Sequence, residues 1–445
     1  MAANSTVLGL AADLAAGRTT SRALVEAALA RIDDPAGEGA RTFTKVYRTQ
    51  ALAAADAQDK LRGAGYVASP LAGLPVSIKD LFDVAGETTL AGSKALDDRP
   101  PAMCDAPIVA RLRAAGAVIT GRTNMTEFAY SGIGINPHYG TPGNPFDRTR
   151  VPGGSSAGAP VSVADGAAIV AIGTDTGGSV RIPAALCGVT GFKPTVKRIS
   201  RAGATPLSPT LDSIGPLANS VACCAIADAV MAGEAAEAPD ATPVEGMRLG
   251  ILRGFVQDNL APEVAAAFAA ACTTLSQAGA RLVDLNLAEL EEYRSLIDSG
   301  LVNAEAFAWH EELMARRGNE YDPRVRSRIE RGRSVSAAQY IRSCAWRADL
   351  IQRFDARTAG YDALLLPTVA IVAPRIADCA RDEDFFRLNA LILRNTGLIN
   401  VLDRCAASLP IQPPGTAPVG LMVVGEHGGD RRLLAVARGI EGALQ

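Results

Sequence analysis

The chain has 445 residues, of which 48% are hydrophobic, and its 44 basic and 47 acidic residues leave a net charge of −3. This is enough apolar sequence for a large buried core, and near-neutral charge without a run of lysine or arginine argues against direct binding to nucleic acid. No stretch approaches 18 uninterrupted apolar residues, so no membrane span is predicted. Eight cysteines without a C-x-x-C pair favour reduced thiols and a cytoplasmic protein.

Short strands and helices alternate along the chain. Residues 22–32 have apolar positions at helical spacing behind a Ser/Thr start signal. A buried strand at 74–78, a helix at 106–117 and a strand at 117–120 follow, and the same order recurs over 248–287. Because parallel strands need a crossover connection, these units predict an α/β fold: a single large mixed, mostly parallel twisted sheet with helices on both faces.

Two segments interrupt this rhythm. Residues 232–246 are rich in alanine, proline and glutamate with little to bury, which predicts a surface connection. Residues from about 305 to 357 are charged and helical in pattern, which predicts either solvated helices or a cap over one end of the sheet. Since neither segment divides the chain into two separate cores, we expect one domain over 1–445.

Several familiar sites are absent or weak in the sequence. His138, His310 and His427 lack metal-ligand spacing, so we expect no metal, and neither glycine-rich segment matches a nucleotide-binding loop. Residues 154–158 do fit G-x-S-x-G, the nucleophile motif of α/β-hydrolases, with Ser156 as nucleophile and His427 as base. That motif should follow a hydrophobic strand, whereas here it follows a loop.

Three other segments carry a more specific pattern: "GLPVSIKD" (73–80), "PGGSSAGAP" (152–160) and "GTDTGGSVR" (173–181). Each alone is typical of a strand end or a glycine-serine turn. Together, in this order, they resemble the amidase signature family. The resemblance is dense from about 71 to 221 and recognisable again from about 407 onward. It implies the amidase signature fold and a reaction without a cofactor.

The resemblance also implies a Ser-cisSer-Lys triad, in which Ser179 is the nucleophile, Ser155 the bridging serine in a cis peptide and Lys79 the base. A serine hydroxyl is a weak nucleophile until its proton has an acceptor, and a lysine accepts that proton only when burial lowers its pKa. The implied oxyanion hole consists of the N–H groups of Thr176, Gly177, Gly178 and Ser179. Supporting roles are implied for Ser156, Asp175 and Arg181. The implied substrate wall contains Ala129, Tyr130 and Ser131.

The flanking sequence looks most like bacterial small-molecule amidases, carboxybiuret-type hydrolases and urethanases. We therefore expect an amidohydrolase that cleaves non-peptide C–N bonds of small amides or carbamates through a serine acyl-enzyme, with side activity on urethanes and esters. One alternative is a subunit of a partner-dependent enzyme, such as a carboxybiuret hydrolase or a tRNA-dependent amidotransferase. The non-enzyme alternative is a doubly wound binding protein with an inactive site. The sequence leaves open the substrate, the need for a partner, and whether the chain forms a homodimer.

Overall fold

A computed structural model describes residues 5–445 and contains one sheet of eleven strands. In chain order the strands are β1 (Phe43–Val46), β2 (Pro75–Lys79), β3 (Val118–Thr123), β4 (Val170–Asp175), β5 (Thr190–Lys193), β6 (Ser213–Ala218), β7 (Arg248–Leu252), β8 (Arg281–Leu285), β9 (Ala363–Pro367), β10 (Ala406–Pro410) and β11 (Gly420–Val424). Their spatial order is β1-β3-β2-β4-β6-β5-β10-β11-β9-β7-β8.

Helices flank this sheet. The α-helices in the described residues are α1 (Val7–Ala15), α2 (Ser21–Asp33), α3 (Gly39–Thr42), α4 (Arg48–Gly63), α5 (Pro107–Ala114), α6 (Gly158–Ala164), α7 (Arg181–Cys187), α8 (Val221–Ala232), α9 (Pro262–Gln277), α10 (Glu289–Asp298), α11 (Leu301–Arg317), α12 (Pro323–Glu330), α13 (Ala337–Thr358), α14 (Asp382–Val401) and α15 (Asp430–Leu444). Short 3₁₀ helices span Glu127–Ala129, Gly254–Gln257, Gly318–Glu320, Arg331–Ser334 and Ile376–Cys379. Across residues 5–445, none of the helices has the length and apolar character needed to cross a bilayer.

The predicted strand–helix–strand units are present. β2 and β3, joined by a connection that contains α5, pair in parallel, and so do β7 and β8 on either side of α9. The crossover helix lets each second strand run in the same direction as the first. Because the sheet contains these parallel pairs and also antiparallel ones, the prediction of a mixed sheet is confirmed.

The prediction that the sheet is mostly parallel is wrong. Six neighbouring pairs are antiparallel and four are parallel. The reason lies at the centre, where β6 inserts between β4 and β5 and runs antiparallel to both. The β10–β11 pair is also antiparallel, and β11 pairs antiparallel with β9. The order strand–helix–strand in the sequence predicts that the two strands it joins are parallel. It does not predict which later strand pairs with either of them.

The central strands bring two polar strand ends together. β2 and β4 are adjacent and parallel, and every residue of both is buried. Because parallel neighbours end at the same edge of a sheet, Lys79 at the end of β2 lies near Thr174 and Asp175 at the end of β4. Residues 233–247 form an irregular and largely exposed connection before β7.

Candidate active site

Lys79 is fully buried at the end of β2. Its Nζ donates hydrogen bonds of 2.8 Å to Ser155 Oγ and 2.8 Å to Thr174 Oγ1. Burial lowers the pKa of Lys79 to about 7, although the carboxylates of Asp175 and Asp212 raise it in part. A large fraction of this amine is therefore neutral near pH 7, as a base requires.

Ser155 lies in a loop that is held from both sides. The Gly154–Ser155 peptide bond is cis. The Ser155 carbonyl accepts hydrogen bonds of 2.9 Å from the N–H groups of Thr126 and Ala157. The next residue, Ser156, donates its N–H to the Ser179 carbonyl at 3.4 Å and its hydroxyl to a carbonyl of β4. These bonds join the loop of Ser155 to the loop of Ser179.

Ser179 follows a tight turn that leads from β4 into α7. Gly178 adopts a φ of +133°, which L side chains rarely adopt. Within residues 5–445, none of the N–H groups of residues 176–179 donates a hydrogen bond to another part of the chain. Ser179 itself is 4% exposed and lines a cavity. The turn therefore combines a hydroxyl with four unused backbone donors, the arrangement that an oxyanion hole needs.

A buried ion pair supports this turn. Asp175 and Arg181 are fully buried and form a bridge of 2.8 Å. Burial tends to raise the pKa of Asp175, but Arg181 and a hydrogen bond from Asn400 hold that pKa down to about 2. The Arg181 guanidinium also donates to the Thr396 carbonyl at 3.1 Å. The two ends of the turn are thus joined to each other and to α14.

The glycine at position 178 provides a direct test of this packing. A Cβ there would lie 2.1 Å from Thr396 Oγ1, whereas a Cβ at Gly177 would meet only Leu393 at 3.4 Å. We expect Gly178→Ala to lower the free energy of unfolding by about 2–4 kcal/mol, and Gly177→Ala by under about 1 kcal/mol. Urea unfolding of both variants measures this, and equal losses would contradict the packing described.

The cavity beside Ser179 has a volume of about 460 Å³, which suits a small molecule. Its lining contains the predicted wall residues Ala129, Tyr130 and Ser131. It also contains residues of α10 and α11, which precede the charged region at 305–357, and five residues between 328 and 339 from within that region. Two contacts fix the orientation of the Tyr130 side chain. The Arg328 guanidinium lies 4.2 Å from its ring centroid, and Asn303 donates a 2.7 Å hydrogen bond to its hydroxyl.

Sequence reasoning missed the polar neighbours of Lys79 and of the turn before Ser179. Thr174 shares the Lys79 amine with Ser155, and it lies in a quoted motif without being singled out. Thr396 lies in α14, over 200 residues after Gly177 in sequence, and its hydroxyl donates a 2.7 Å hydrogen bond to the Gly177 carbonyl. The sequence did contain one clue that this part of α14 is closely packed, namely Gly397, because helix interiors rarely keep a glycine without a packing reason. In the structure, a Cβ at Gly397 would lie 2.3 Å from the Tyr293 hydroxyl.

Asp212 was also missed. Its carboxylate accepts a 2.5 Å hydrogen bond from the Thr176 hydroxyl and further bonds from the N–H groups of Leu207 and Ser208. Burial raises the pKa of Asp212 to about 6, so the group is mostly ionised at neutral pH. Its negative charge then raises the pKa of Lys79 above the value that burial alone would give.

Replacing Asp212 with asparagine is expected to lower the pKa of Lys79, because a negative charge that favours the ammonium form is removed. The acid limb of the kcat/KM profile for an amide should move to lower pH. The isosteric change at Asp284, an exposed partner of Arg253, is the control and should leave the midpoint in place. A shift to higher pH in Asp212→Asn would contradict this electrostatic assignment.

The structure does not bring together the alternative pair of Ser156 and His427. His427 is half exposed and its Nδ1 lies 3.0 Å from the Asp403 carbonyl oxygen. Ser156 is fully buried, with its hydroxyl 3.4 Å from the Thr174 carbonyl oxygen. The α/β-hydrolase arrangement requires a hydrogen bond between serine and histidine, and the described residues form none between these two.

Comparison with known proteins gives consistent matches along the chain. A protein-family model described as Amidase matches residues 23–434. The 2-amino-5-chloromuconic acid deaminase of Comamonas testosteroni is 38% identical, covering 94% of this chain and 93% of its own. AtzE, the 1-carboxybiuret hydrolase subunit of Pseudomonas sp. (strain ADP), is 38% identical, covering 82% and 81%. The glutamyl-tRNA(Gln) amidotransferase subunit from Koribacter versatilis (strain Ellin345) is 34% identical, covering 96% of each. A crystal structure of an amidase superposes with a TM-score of 0.89 at 34% identity, covering 99% and 100%.

Proposed function

Because the chain belongs to the Amidase family and is a hydrolase of amide C–N bonds, we propose that it cleaves small non-peptide amides or carbamates through an acyl-enzyme on Ser179. The observation that carries this proposal is the 2.8 Å hydrogen bond from Lys79 Nζ to Ser155 Oγ. That bond joins a buried amine to the loop that contacts Ser179, and Ser179 lines a cavity of small-molecule size. The family resemblance found in the sequence is confirmed.

In the proposed acylation, neutral Lys79 accepts a proton from Ser155. Ser155 accepts one from Ser179 once substrate binding brings the two hydroxyls together, because the free chain, as described over residues 5–445, forms no hydrogen bond between them. The Ser179 oxygen then attacks the carbonyl carbon, and the C=O electron pair moves onto oxygen. The N–H groups of residues 176–179 stabilise that oxyanion, an interaction that commonly contributes a factor of about 10²–10³ per donor. All four N–H groups are available for this role, since none of them donates a hydrogen bond elsewhere in the described chain.

Collapse of the oxyanion breaks the C–N bond. The proton held on Lys79 returns through Ser155 to the leaving nitrogen, so the amine departs neutral. Water then attacks the ester of Ser179 while the same relay accepts its proton. The bond between the acyl carbon and Ser179 Oγ breaks, the relay returns the proton to that oxygen, and release of the acid restores the free enzyme. Esters and urethanes can enter the same path, because acyl transfer to serine needs only a suitable leaving group.

A substrate panel tests the proposal on the purified chain: primary amides, anilides, aryl carbamates, p-nitrophenyl esters and a peptide with an amidated C-terminus. We expect turnover of small amides or carbamates, with hydrolysis of the internal peptide bonds absent. Turnover confined to internal peptide bonds would contradict the proposed substrate class. For the anilides, the product acid and aniline should appear in equal amounts, which chromatography measures.

A second candidate is a partner-dependent subunit, since two of the relatives above are named as subunits. The single chain would then need another protein for turnover. Assaying the panel with the chain alone, after its oligomeric state is measured by light scattering, separates the two candidates. Turnover by a monomer or homodimer favours the stand-alone hydrolase, and turnover only after addition of a partner favours the second candidate.

A further inference from the structure

We propose that the substrate carries a carboxylate in addition to the scissile amide, and that Arg328 and Arg331 bind this carboxylate. The inference rests on the proposed function, because it places the carboxylate in the same cavity that Ser179 lines. Both arginines line that cavity. They lie at the end of α12 and the start of the 3₁₀ helix that follows it.

Neither of the two arginines has a counter-ion in the part of the chain that the structure describes. Earlier on the same helix, Arg324 pairs with Asp382 at 2.7 Å and Arg326 pairs with Glu330 at 2.8 Å. Within residues 5–445, no carboxylate lies within ion-pair distance of Arg328 or Arg331. The two arginines of α12 that pair with a carboxylate lie outside the cavity lining, whereas Arg328 and Arg331 line it without a counter-ion. Arg333 also lacks a carboxylate partner, but it lies outside the lining.

Most of the hydrogen-bonding capacity of this pair is unused. A guanidinium has five N–H donors. Arg328 donates to the Tyr130 carbonyl and stacks on the Tyr130 ring at 4.2 Å. The side chain of Arg331 donates no hydrogen bond within residues 5–445, and it lies 5.9 Å from the centroid of the Phe386 ring. The planar donor pattern of these groups matches the two oxygens of a carboxylate.

The charges around the pair favour an anion. Burial lowers the pKa of the Arg328 guanidinium, the Tyr130 hydroxyl raises it, and the neighbouring Arg331 lowers it further. Two cations this close repel each other, and a bound carboxylate offsets that repulsion. Asp298 is the sole acidic residue in the described lining, and it is exposed and unpaired. Because Asp298 pairs with neither arginine, the positive charges of Arg328 and Arg331 are not neutralised by a carboxylate of the lining.

The rest of the lining limits the size of the substrate. The cavity of about 460 Å³ contains apolar side chains such as Leu207, Leu393 and Val401 as well as the arginines. A short apolar chain that joins an amide to a carboxylate fits this combination of surfaces. Monoamides of small dicarboxylic acids are the simplest molecules of this kind.

The test compares succinamic, glutaramic and adipamic acids with the corresponding neutral diamides, which are nearly isosteric. We expect the wild type to prefer at least one monoamide by about 10-fold or more in kcat/KM, since hydrogen bonds to charged groups are worth a factor of about 10–100. Arg331→Gln should lose most of this preference, and Arg331→Lys should retain part of it. Arg328→Lys, which keeps the charge but not the planar donor pattern, should also weaken the preference.

Arg333 provides the matched control. It lies two residues beyond Arg331, is exposed, stacks on Phe307 at 5.0 Å and does not line the cavity. Arg333→Gln changes the net charge by the same amount as Arg331→Gln, so it should keep the wild-type preference. An equal preference for diamides and monoamides, or equal losses in Arg331→Gln and Arg333→Gln, would overturn the proposal.

A binding measurement separates this proposal from the proposed function. In Ser179→Ala the nucleophile is absent, so calorimetry with the monoamides reports affinity without turnover. We expect binding that weakens by about 10-fold when Arg331→Gln is added. If the wild type hydrolyses neutral amides but Ser179→Ala binds no monoamide, the carboxylate site is wrong and the amidase function stands. If monoamides bind through Arg331 but no amide is hydrolysed, the proposed function fails and the carboxylate site stands.

Discussion

Replacing Ser179 with alanine is expected to lower kcat/KM for a primary amide by about 10⁴-fold or more. The change removes the oxygen that forms the acyl-enzyme, and the remaining oxyanion donors cannot replace it. Substrate binding should persist, because the cavity walls are unchanged. Release of ammonia from the primary amide, followed in a coupled assay, measures the loss.

Two observations keep this result interpretable. The Ser179 hydroxyl has no hydrogen-bond partner within residues 5–445, so its removal should change the free energy of unfolding by under about 1 kcal/mol. His427→Ala is the control for the α/β-hydrolase alternative, and it should retain wild-type turnover. An active Ser179→Ala together with an inactive His427→Ala would reverse the assignment of the nucleophile.

The local parts of this site could be predicted because each comes from a continuous stretch of sequence. Lys79 ends a strand recognisable from its apolar run, and Ser155 and Ser179 lie in glycine-rich motifs. Adjacent parallel strands then bring these stretches to one edge of the sheet, as β2 and β4 do. These local motifs carried the family resemblance that implied the triad, whereas each motif alone is typical of a strand end or a glycine-serine turn.

The parts that sequence could not supply depend on contacts between distant segments. Thr396 reaches the loop of Gly177 from α14, and Arg328 covers Tyr130 from α12. Neither lies in a motif, and helical periodicity does not reveal which distant element a polar face contacts. The mistaken strand directions have the same origin, because the insertion of β6 between β4 and β5 depends on long-range pairing.

The second large effect is expected at Lys79. Lys79→Met should lower kcat/KM for amides by about 10³-fold or more, since general base and acid catalysis together commonly contribute a factor of this size. The loss for p-nitrophenyl esters should be smaller, because p-nitrophenolate departs without a proton. Steady-state assays of one amide and one ester measure the difference, and equal losses would contradict the role of Lys79 in protonating the leaving nitrogen.

The pH profile gives an independent check on the same lysine. Only the neutral amine accepts a proton, so kcat/KM of the wild type should rise with pH through about 7, the value to which burial lowers the pKa of Lys79. This limb should be absent from the residual activity of Lys79→Met. A wild-type profile that stays flat from pH 5 to 9 would show that the lysine does not act as the base.

Stability should depend on pH through the same group. Burial lowers the pKa of Lys79 to about 7 in the folded chain, whereas an unperturbed lysine, as in the unfolded chain, has a pKa of 10.5. Between these values the unfolded chain binds the extra proton, so the free energy of unfolding falls by about 1.4 kcal/mol for each unit that pH decreases. Lys79→Met lacks this dependence, and its stability relative to the wild type should therefore increase from pH 10 to pH 7 and then level off. A constant difference in urea unfolding across this range would mean that the folded chain keeps the lysine charged, and the proton relay would lose its acceptor.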